Sequence, residues 1–344
     1  MSAKGFYTPS VTVVMPVYNV APYVERCLLS VMHQTFPAKE CIIVDDASTD
    51  DSVHRCQRLI DGYSGPTRFV ILCHAKNRGL SAARNTGTNA ATSAFIYYVD
   101  SDDEITEDCL EKLVDPVMQD DTIEMVMGVY RTDYTAMKGI KYRLASRFFR
   151  FVKRTSMELQ TNEEVRRWYY HGRVPRPDQV WNKLLRLSFV KTNQLYNKEG
   201  QLYEDVLWSY YLIRCLSHAV VIPDVTYINY CRPGSIVTGT KYKEKLRQHC
   251  RIFKEIADHV KSGERIEVTE RWLPDFCLCY VDASDSPDYQ YVYHIFRRQL
   301  SDGQHWLAYW SLLITHHLSK CHIGSISVKL STRLILMIRR INGC

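Results

Sequence analysis

The chain has 344 residues, 46% of them hydrophobic, a content that allows a sizeable core and argues against disorder. Its length suits one large α/β domain with a helical appendage, or two small domains, and no apolar run reaches the roughly 18 to 20 residues of a membrane span. The formal net charge of +6 is concentrated in local basic stretches on a balanced protein, which is not the pattern of a nucleic-acid binder.

The first 130 residues alternate between two periods. Val11 to Met15 reads as a buried strand, and Pro22 opens a helix with Val24, Cys27, Leu28, Val31 and Met32 on one face. A second strand, Cys41 to Val44, precedes a helix marked by Val53, Cys56, Leu59 and Ile60. Phe69 to Leu72, a helix from Leu80 to Ala91, and Phe95 to Val99 repeat the pattern. Thr106 is placed to cap a helix reaching about Met118, and Glu124 to Tyr130 follows as another strand. Such alternation predicts a mostly parallel, Rossmann-like sheet covered by helices on both faces.

Beyond residue 130 the pattern is less regular. Thr161 and Glu164 form a capping box for a helix to about His171, and Pro175 and Pro177 break the chain before Val180 to Leu187. Tyr203 to Leu216 reads as a helix, Val220 to Tyr230 as one or two strands, and the chain from about Tyr242 as helical. The expected division is therefore a catalytic domain over 1–240 and a helical C-terminal region over 241–344. The first splits into halves of about 8–130 and 131–240.

In open α/β sheets ligands bind beyond the carboxyl ends of the strands. Four polar blocks fall there: VMPVYN (14–19), VDDASTD (44–50), NRGLSAARN (77–85) and VDSDD (99–103). Neither a Gly-x-Gly-x-x-Gly fingerprint nor a Walker lysine loop is present. In order and spacing these blocks, together with Trp181-Asn182-Lys183-Leu184 and Glu204-Asp205, resemble the family 2 glycosyltransferases, which have the GT-A fold. Each block alone is weak, since Asp-x-Asp recurs in many proteins; the set in the right order is specific. The resemblance fades after about residue 240.

The resemblance implies an inverting transfer of one sugar from a UDP-sugar to an acceptor hydroxyl, in the building of bacterial cell-surface polysaccharide. The acceptor it implies is a glycan or lipid-linked glycan. A departing nucleoside diphosphate concentrates negative charge, which a divalent cation, Mn²⁺ or Mg²⁺, neutralises. Asp102 is the implied ligand, with Asp100 beside it near the ribose and Asp103 assisting the acceptor or the metal shell. Pro16 and Tyr18 fall in the nucleotide site, Tyr18 stacking on the base and Asp46 accepting the imide N–H of uracil. Arg84 matches an arginine near the diphosphate; the alternative is a helix-surface salt bridge. Ala47 stands where a glycine is usual, and a type I turn would accept it.

Inversion needs a base opposite the leaving group. Asp205 matches that position, with Glu204 as neighbour and second candidate, although two acids opening a helix also complement its dipole. Trp181 either stacks on a sugar face, with Asn182 and Lys183 bonding hydroxyls, or belongs to the core. Arg232 to Ser235 is expected to close over the donor phosphates. Gln248-His249-Cys250-Arg251-Ile252 lacks the tryptophan of the processive members' motif, so a single addition is expected. An inactive nucleotide-sugar binder of the same fold is the rival reading, but it would be expected to have lost one of these acids.

The N-terminus shows no leader pattern, so a cytoplasmic location with reduced thiols is expected. No cysteine or histidine grouping has zinc-finger spacing. Two basic stretches suggest contact with a membrane surface. Met137 to Arg154 has seven Lys or Arg residues interleaved with Phe148, Phe149 and Phe151. A C-terminal helix would set Ile326, Leu330, Leu334, Met337, Ile338 and Ile341 opposite Lys329, Arg333 and Arg340.

Overall fold

The computed structural model describes residues 8–135, 156–171, 178–232, 242–261 and 287–300. The Met137–Arg154 stretch, Pro233 to Ser235 and the C-terminal basic helix lie outside these residues. The chain divides into two compact units, one of residues 1–166 with 177–239 and the other of 167–176 with 240–344.

Unit one is built on a nine-stranded sheet. Its first half alternates β1 (Val11–Val17), α1 (Val24–Met32), β2 (Glu40–Asp45), α2 (Ser52–Asp61), β3 (Arg68–Cys73), α3 (Leu80–Ala90) and β4 (Phe95–Tyr98). The four strands run parallel in the order β3-β2-β1-β4. β1, β2 and β4 are buried along their whole length, which is why they read as continuous apolar runs rather than alternating ones. The helix α1 buries the five apolar positions that its spacing picked out. Gly87 lets α3 lie close on β1: a Cβ there would come within 2.3 Å of Val14 Cγ1.

The second half is mixed, beyond the parallel half that the strand–helix alternation of the first 130 residues predicts. It contains β5 (Glu104–Ile105), α4 (Cys109–Gln119), β6 (Met125–Asp133), β7 (Met157–Leu159), α5 (Asn162–His171), β8 (Lys183–Arg186), α6 (Leu187–Thr192), α7 (Glu204–Cys215) and β9 (Ala219–Tyr230). The sheet continues β4-β8-β6-β9-β5, with β7 on β9. β8 runs antiparallel to both β4 and β6, while β6 and β9 run parallel. Val180 to Leu187 showed no period that separates parallel from antiparallel, and the two- and three-residue strands β5 and β7 are too short for any. At α5 the Thr161 half of the box forms, with Glu164 N donating to Thr161 Oγ1 at 3.2 Å, while Glu164 Oε2 accepts from the preceding Gln160 N at 2.8 Å.

In unit two, α8 (Tyr242–Lys261) packs against α9 (Pro287–Leu300) through buried Ile252, Phe253, Ile256, Val292 and Tyr293. Gln248 to Ile252 is thus an ordinary turn of α8 with its apolar end in the core. Among the described residues no helix is long and apolar enough to cross a membrane.

Candidate active site

The carboxyl ends of β1, β2, β3 and β4 gather the polar blocks on one edge. After β1 the chain turns at Asn19, whose backbone is left-handed with φ of 50°. Asn19 Oδ1 accepts from Thr49 N at 2.8 Å and its own N–H donates to Ser48 Oγ at 3.2 Å, locking the β1 loop to the β2 loop. Pro16 is buried inside β1. Val14 O accepts from Val99 N, so every second residue of β1 faces β4; the missing N–H of Pro16 points past the end of β4, where it breaks no ladder bond. Tyr18, the next residue but one, is 46% exposed and free to present a ring face.

Asp46 is buried, and three protein contacts orient its carboxylate. Oδ1 accepts from Arg78 N at 2.8 Å and meets His74 Nδ1 at 2.7 Å, while Oδ2 accepts from Gly79 N at 2.7 Å. Its charge therefore sits at the N-terminus of α3, where backbone N–H groups are unsatisfied by the helix. Gly79, at φ of 91°, is in a conformation that a side chain resists. Between these two loops Ala47 lies at φ of 61°. The type I turn expected for it is overturned: the residue occupies the left-handed region, at a cost of about 1 kcal/mol that glycine would avoid.

Arg84 is not on a helix surface. Its side chain is 3% exposed and joins two carboxylates, bonding Asp100 Oδ1 at 2.7 Å and Glu204 Oε1 at 2.6 Å. Burial works against its charge, but Asp100 and Glu204 outweigh burial and hold the guanidinium pKa above its ordinary value. The rest of α3 collects the same segment. Asn85 exchanges two hydrogen bonds with the backbone of Asn197 at 2.8 Å each, and Arg78 pairs with Glu199 at 3.1 Å. The chain then enters α7 through Tyr203, whose backbone is left-handed at φ of 60°. A bulky residue held there is strained, and the strain lies immediately before Glu204 and Asp205.

Asp100 and Asp102 are 24% and 23% exposed at the side chain, the open pair of the edge. Each meets one arginine through one oxygen: Asp100 with Arg84, and Asp102 Oδ2 with Arg232 Nε at 2.8 Å. Burial, and then the charge of Asp100, raise the Asp102 pKa against the pull of Arg232. Two neighbouring carboxylates, each meeting an arginine through one oxygen and repelling each other, are a donor set that a hard divalent cation takes.

Asp103 faces the other way. It is buried and accepts from Tyr227 O–H at 2.8 Å, Asn229 Nδ2 at 3.1 Å and Tyr230 N at 2.8 Å, so it ties the acidic turn to β9. Burial, then Asp102 and Asp100, push its pKa up to about 8. A carboxylate so enclosed is an anchor of the loop, not a group open to an acceptor.

Of the two readings open for Trp181, the core one describes its place, and Asn182 and Lys183, expected to bond sugar hydroxyls, are likewise turned inward. Trp181 stacks on Tyr227 with centroids 4.3 Å apart and meets Tyr130 edge-on, inside the core cluster. Asn182, at φ of 60°, accepts from Thr226 Oγ1 at 2.7 Å and Tyr97 O–H at 3.2 Å and donates to Gly128 O at 3.0 Å. Lys183 is buried with its ammonium on the carbonyls of Gln179 and Trp181, and burial lowers its pKa to about 7. The segment joins β4, β6 and β9 from within.

Glu204 is buried by Arg84, whereas Asp205 is half-buried. Burial, then the Glu204 charge, raise the Asp205 pKa to about 7, with Arg84 opposing. A carboxyl at that value is matched to proton transfer near neutrality. The sequence pattern missed His74, Tyr227, Asn229 and Arg232 as partners of the acids. Only Arg232, beside Pro233 and Gly234, carried a local signal; the others are named by the sheet alone.

The description "Glycosyl transferase family 2" belongs to the family model that matches residues 12–174. EpsH of Bacillus subtilis (strain 168), named as a glycosyltransferase, is 30% identical over 79% of this chain and 75% of its own. EpsJ of the same organism, also named as a glycosyltransferase, is 27% identical over 70% of this chain, which spans 66% of EpsJ. The chain is similar in structure to S. aureus TarS in complex with UDP-GlcNAc, with a TM-score of 0.67, 18% identity, and coverage of 96% and 92% of the two chains. A mannosyltransferase of Pyrobaculum calidifontis in complex with GDP-Man and Mn²⁺ aligns with a TM-score of 0.54 and 16% identity, over 96% of this chain and 86% of that one. These likenesses carry the GT-A fold.

Proposed function

Because the chain belongs to glycosyl transferase family 2, we propose that it moves one sugar from a UDP-sugar to an acceptor hydroxyl, with inversion and without processive elongation. The acceptor is a glycan or lipid-linked glycan of the cell surface, presented at a membrane that the basic stretches contact. The observation that carries this reading is the link through Arg84 between Asp100, one of the two open acids Asp100 and Asp102, and Glu204 at the acid-bearing start of α7.

In this reading Tyr18 offers its exposed ring to the uracil base and Asp46 takes the imide N–H, with its carboxylate aimed by Arg78, Gly79 and His74. Asp100 and Asp102 hold Mn²⁺ or Mg²⁺, which supplies charge neutralisation to the departing diphosphate. Arg232, already paired with Asp102, adds a second positive charge on that side. Asp205 removes the proton from the acceptor hydroxyl as that oxygen attacks the anomeric carbon. The C–O bond to the diphosphate breaks as the new one forms, in one in-line displacement with no enzyme-bound sugar. Glu204 is engaged by Arg84, so the acceptor proton passes to Asp205.

Donor turnover measured across a panel of nucleotide sugars tests the reading. Activity is expected to vanish with excess chelator, to return with Mn²⁺ or Mg²⁺, and to be inhibited more by UDP than by GDP. Full turnover in chelator overturns the metal assignment, and a preference for GDP overturns the role given to Asp46.

A further inference from the structure

A second group of candidate ligands lies at the opposite end of the sheet, where β6 and β9 begin. Asp120 follows α4, Glu158 lies on β7 and His218 immediately precedes β9, and one potential ligand atom from each lies within 4.8 Å of the others. Glu158 pairs in register with Val220, two residues beyond His218, so the sheet itself brings the two together.

The hydrogen bonds here define the tautomer of His218. Thr122 Oγ1 donates to Asp120 Oδ1 at 2.6 Å, and a carboxylate can only accept. The single hydroxyl proton is thereby used, so the 2.9 Å contact between Thr122 Oγ1 and His218 Nδ1 is an N–H donating to the hydroxyl oxygen. A neutral ring then leaves a lone pair on Nε2. That atom is shut off from solvent, has no hydrogen-bond partner, and faces Glu158 Oε1 at 3.4 Å. Two acceptors are thus aimed at each other with nothing between them.

The separation itself is informative. An imidazole nitrogen and a carboxylate oxygen bound at about 2.0 to 2.2 Å and at the tetrahedral angle stand about 3.4 Å apart, and histidine with carboxylates is a zinc donor set. The Nδ1–H to Thr122 contact is the outer hydrogen bond that orients a metal-bound histidine. We propose that Asp120, Glu158 and His218 form a zinc site, separate from Asp100 and Asp102, that clips β7 to the start of β9. Asp120 supplies the third ligand, and water fills the fourth position. β7 is three residues long and, among the described residues, pairs with β9 alone, so a clip at Glu158 would hold a strand that few hydrogen bonds secure.

Co²⁺ titration of the full chain, followed by visible absorption, separates this site from an oxygen-only octahedral one, since tetrahedral Co²⁺ absorbs far more strongly. The tetrahedral band is expected in the parent and in Asp102→Asn, and Zn²⁺ should displace it. His218→Ala should abolish the band, and Glu158→Gln should weaken metal affinity more than about tenfold. Glu158 is 53% exposed, so its variant tests the site even if His218→Ala does not fold. A band unchanged in both variants, or its absence from the parent, overturns the proposal. If the His218 ring resonances in NMR titrate with pH but ignore Zn²⁺, the 3.4 Å contact is an imidazolium–carboxylate pair and the proposal likewise falls.

Discussion

Two clusters of polar residues sit within a few residues of the same strand ends and meet opposite fates. Asp100, Asp102 and Asp205 keep an open or half-open side, and the charge of each is opposed by an arginine. Trp181, Asn182 and Lys183 are turned inward, and every polar group of theirs described above is matched by the sheet. The difference teaches that residue type does not say whether a side chain serves a ligand or the fold. A carboxylate left partly unpaired and repelled by its neighbour is poised for a partner from outside. An amide whose bonds are all made within the protein is finished.

The largest effect that can break this comparison is on catalysis. Asp205→Asn should leave UDP affinity nearly unchanged while transfer falls by about 10²- to 10⁴-fold, the usual worth of a general base. Near-parent transfer in that variant, with loss in Glu204→Gln, would move the base to Glu204. Activity in both would reduce the pair to a helix-dipole device.

Trp181→Ala probes the inward cluster. Truncating a buried tryptophan that stacks on Tyr227 should cost about 3 to 5 kcal/mol in denaturant unfolding. A sugar-stacking residue would instead raise the acceptor KM with stability unchanged, and that result would favour the sugar-stacking reading over the core one.

The pH dependence sharpens the contrast between the two clusters. Asp205 must be ionised to take a proton, so kcat should rise about tenfold per pH unit below its pKa of about 7 and level off above it. Stability runs the other way for this group. Between its ordinary 3.8 and about 7 the folded chain keeps a proton that the unfolded chain has released, so folding weakens as pH rises through that window. Lys183 has the opposite sign. From about 7 to 10.5 the unfolded chain holds the proton that the folded chain lacks, so its contribution improves as pH rises. Unfolding midpoints in Asp205→Asn and Lys183→Met across pH separate the two.

The smallest expected effect is at Ala47. Ala47→Gly relieves a left-handed alanine but gives the unfolded chain more freedom, for a net stabilisation of about 0.5 kcal/mol. A loss of stability would mean that the Ala47 side chain contributes packing that outweighs its backbone.

The sequence by itself determined the parallel half and its polar edge. β1, β2 and β4 are apolar runs closed by acids, α1 shows one face at helical spacing, and the ends of strands in such sheets converge. Those are local signals, carried by neighbours in the chain. Tertiary structure alone decided the rest. That Arg84 joins Asp100 to Glu204, that Asp103 is claimed by Tyr227, Asn229 and Tyr230, and that Trp181 is core depend on contacts spanning from 16 to 127 residues. No period in the chain encodes such pairings, because burial and charge balance at one residue are set by the strands that the sheet brings beside it.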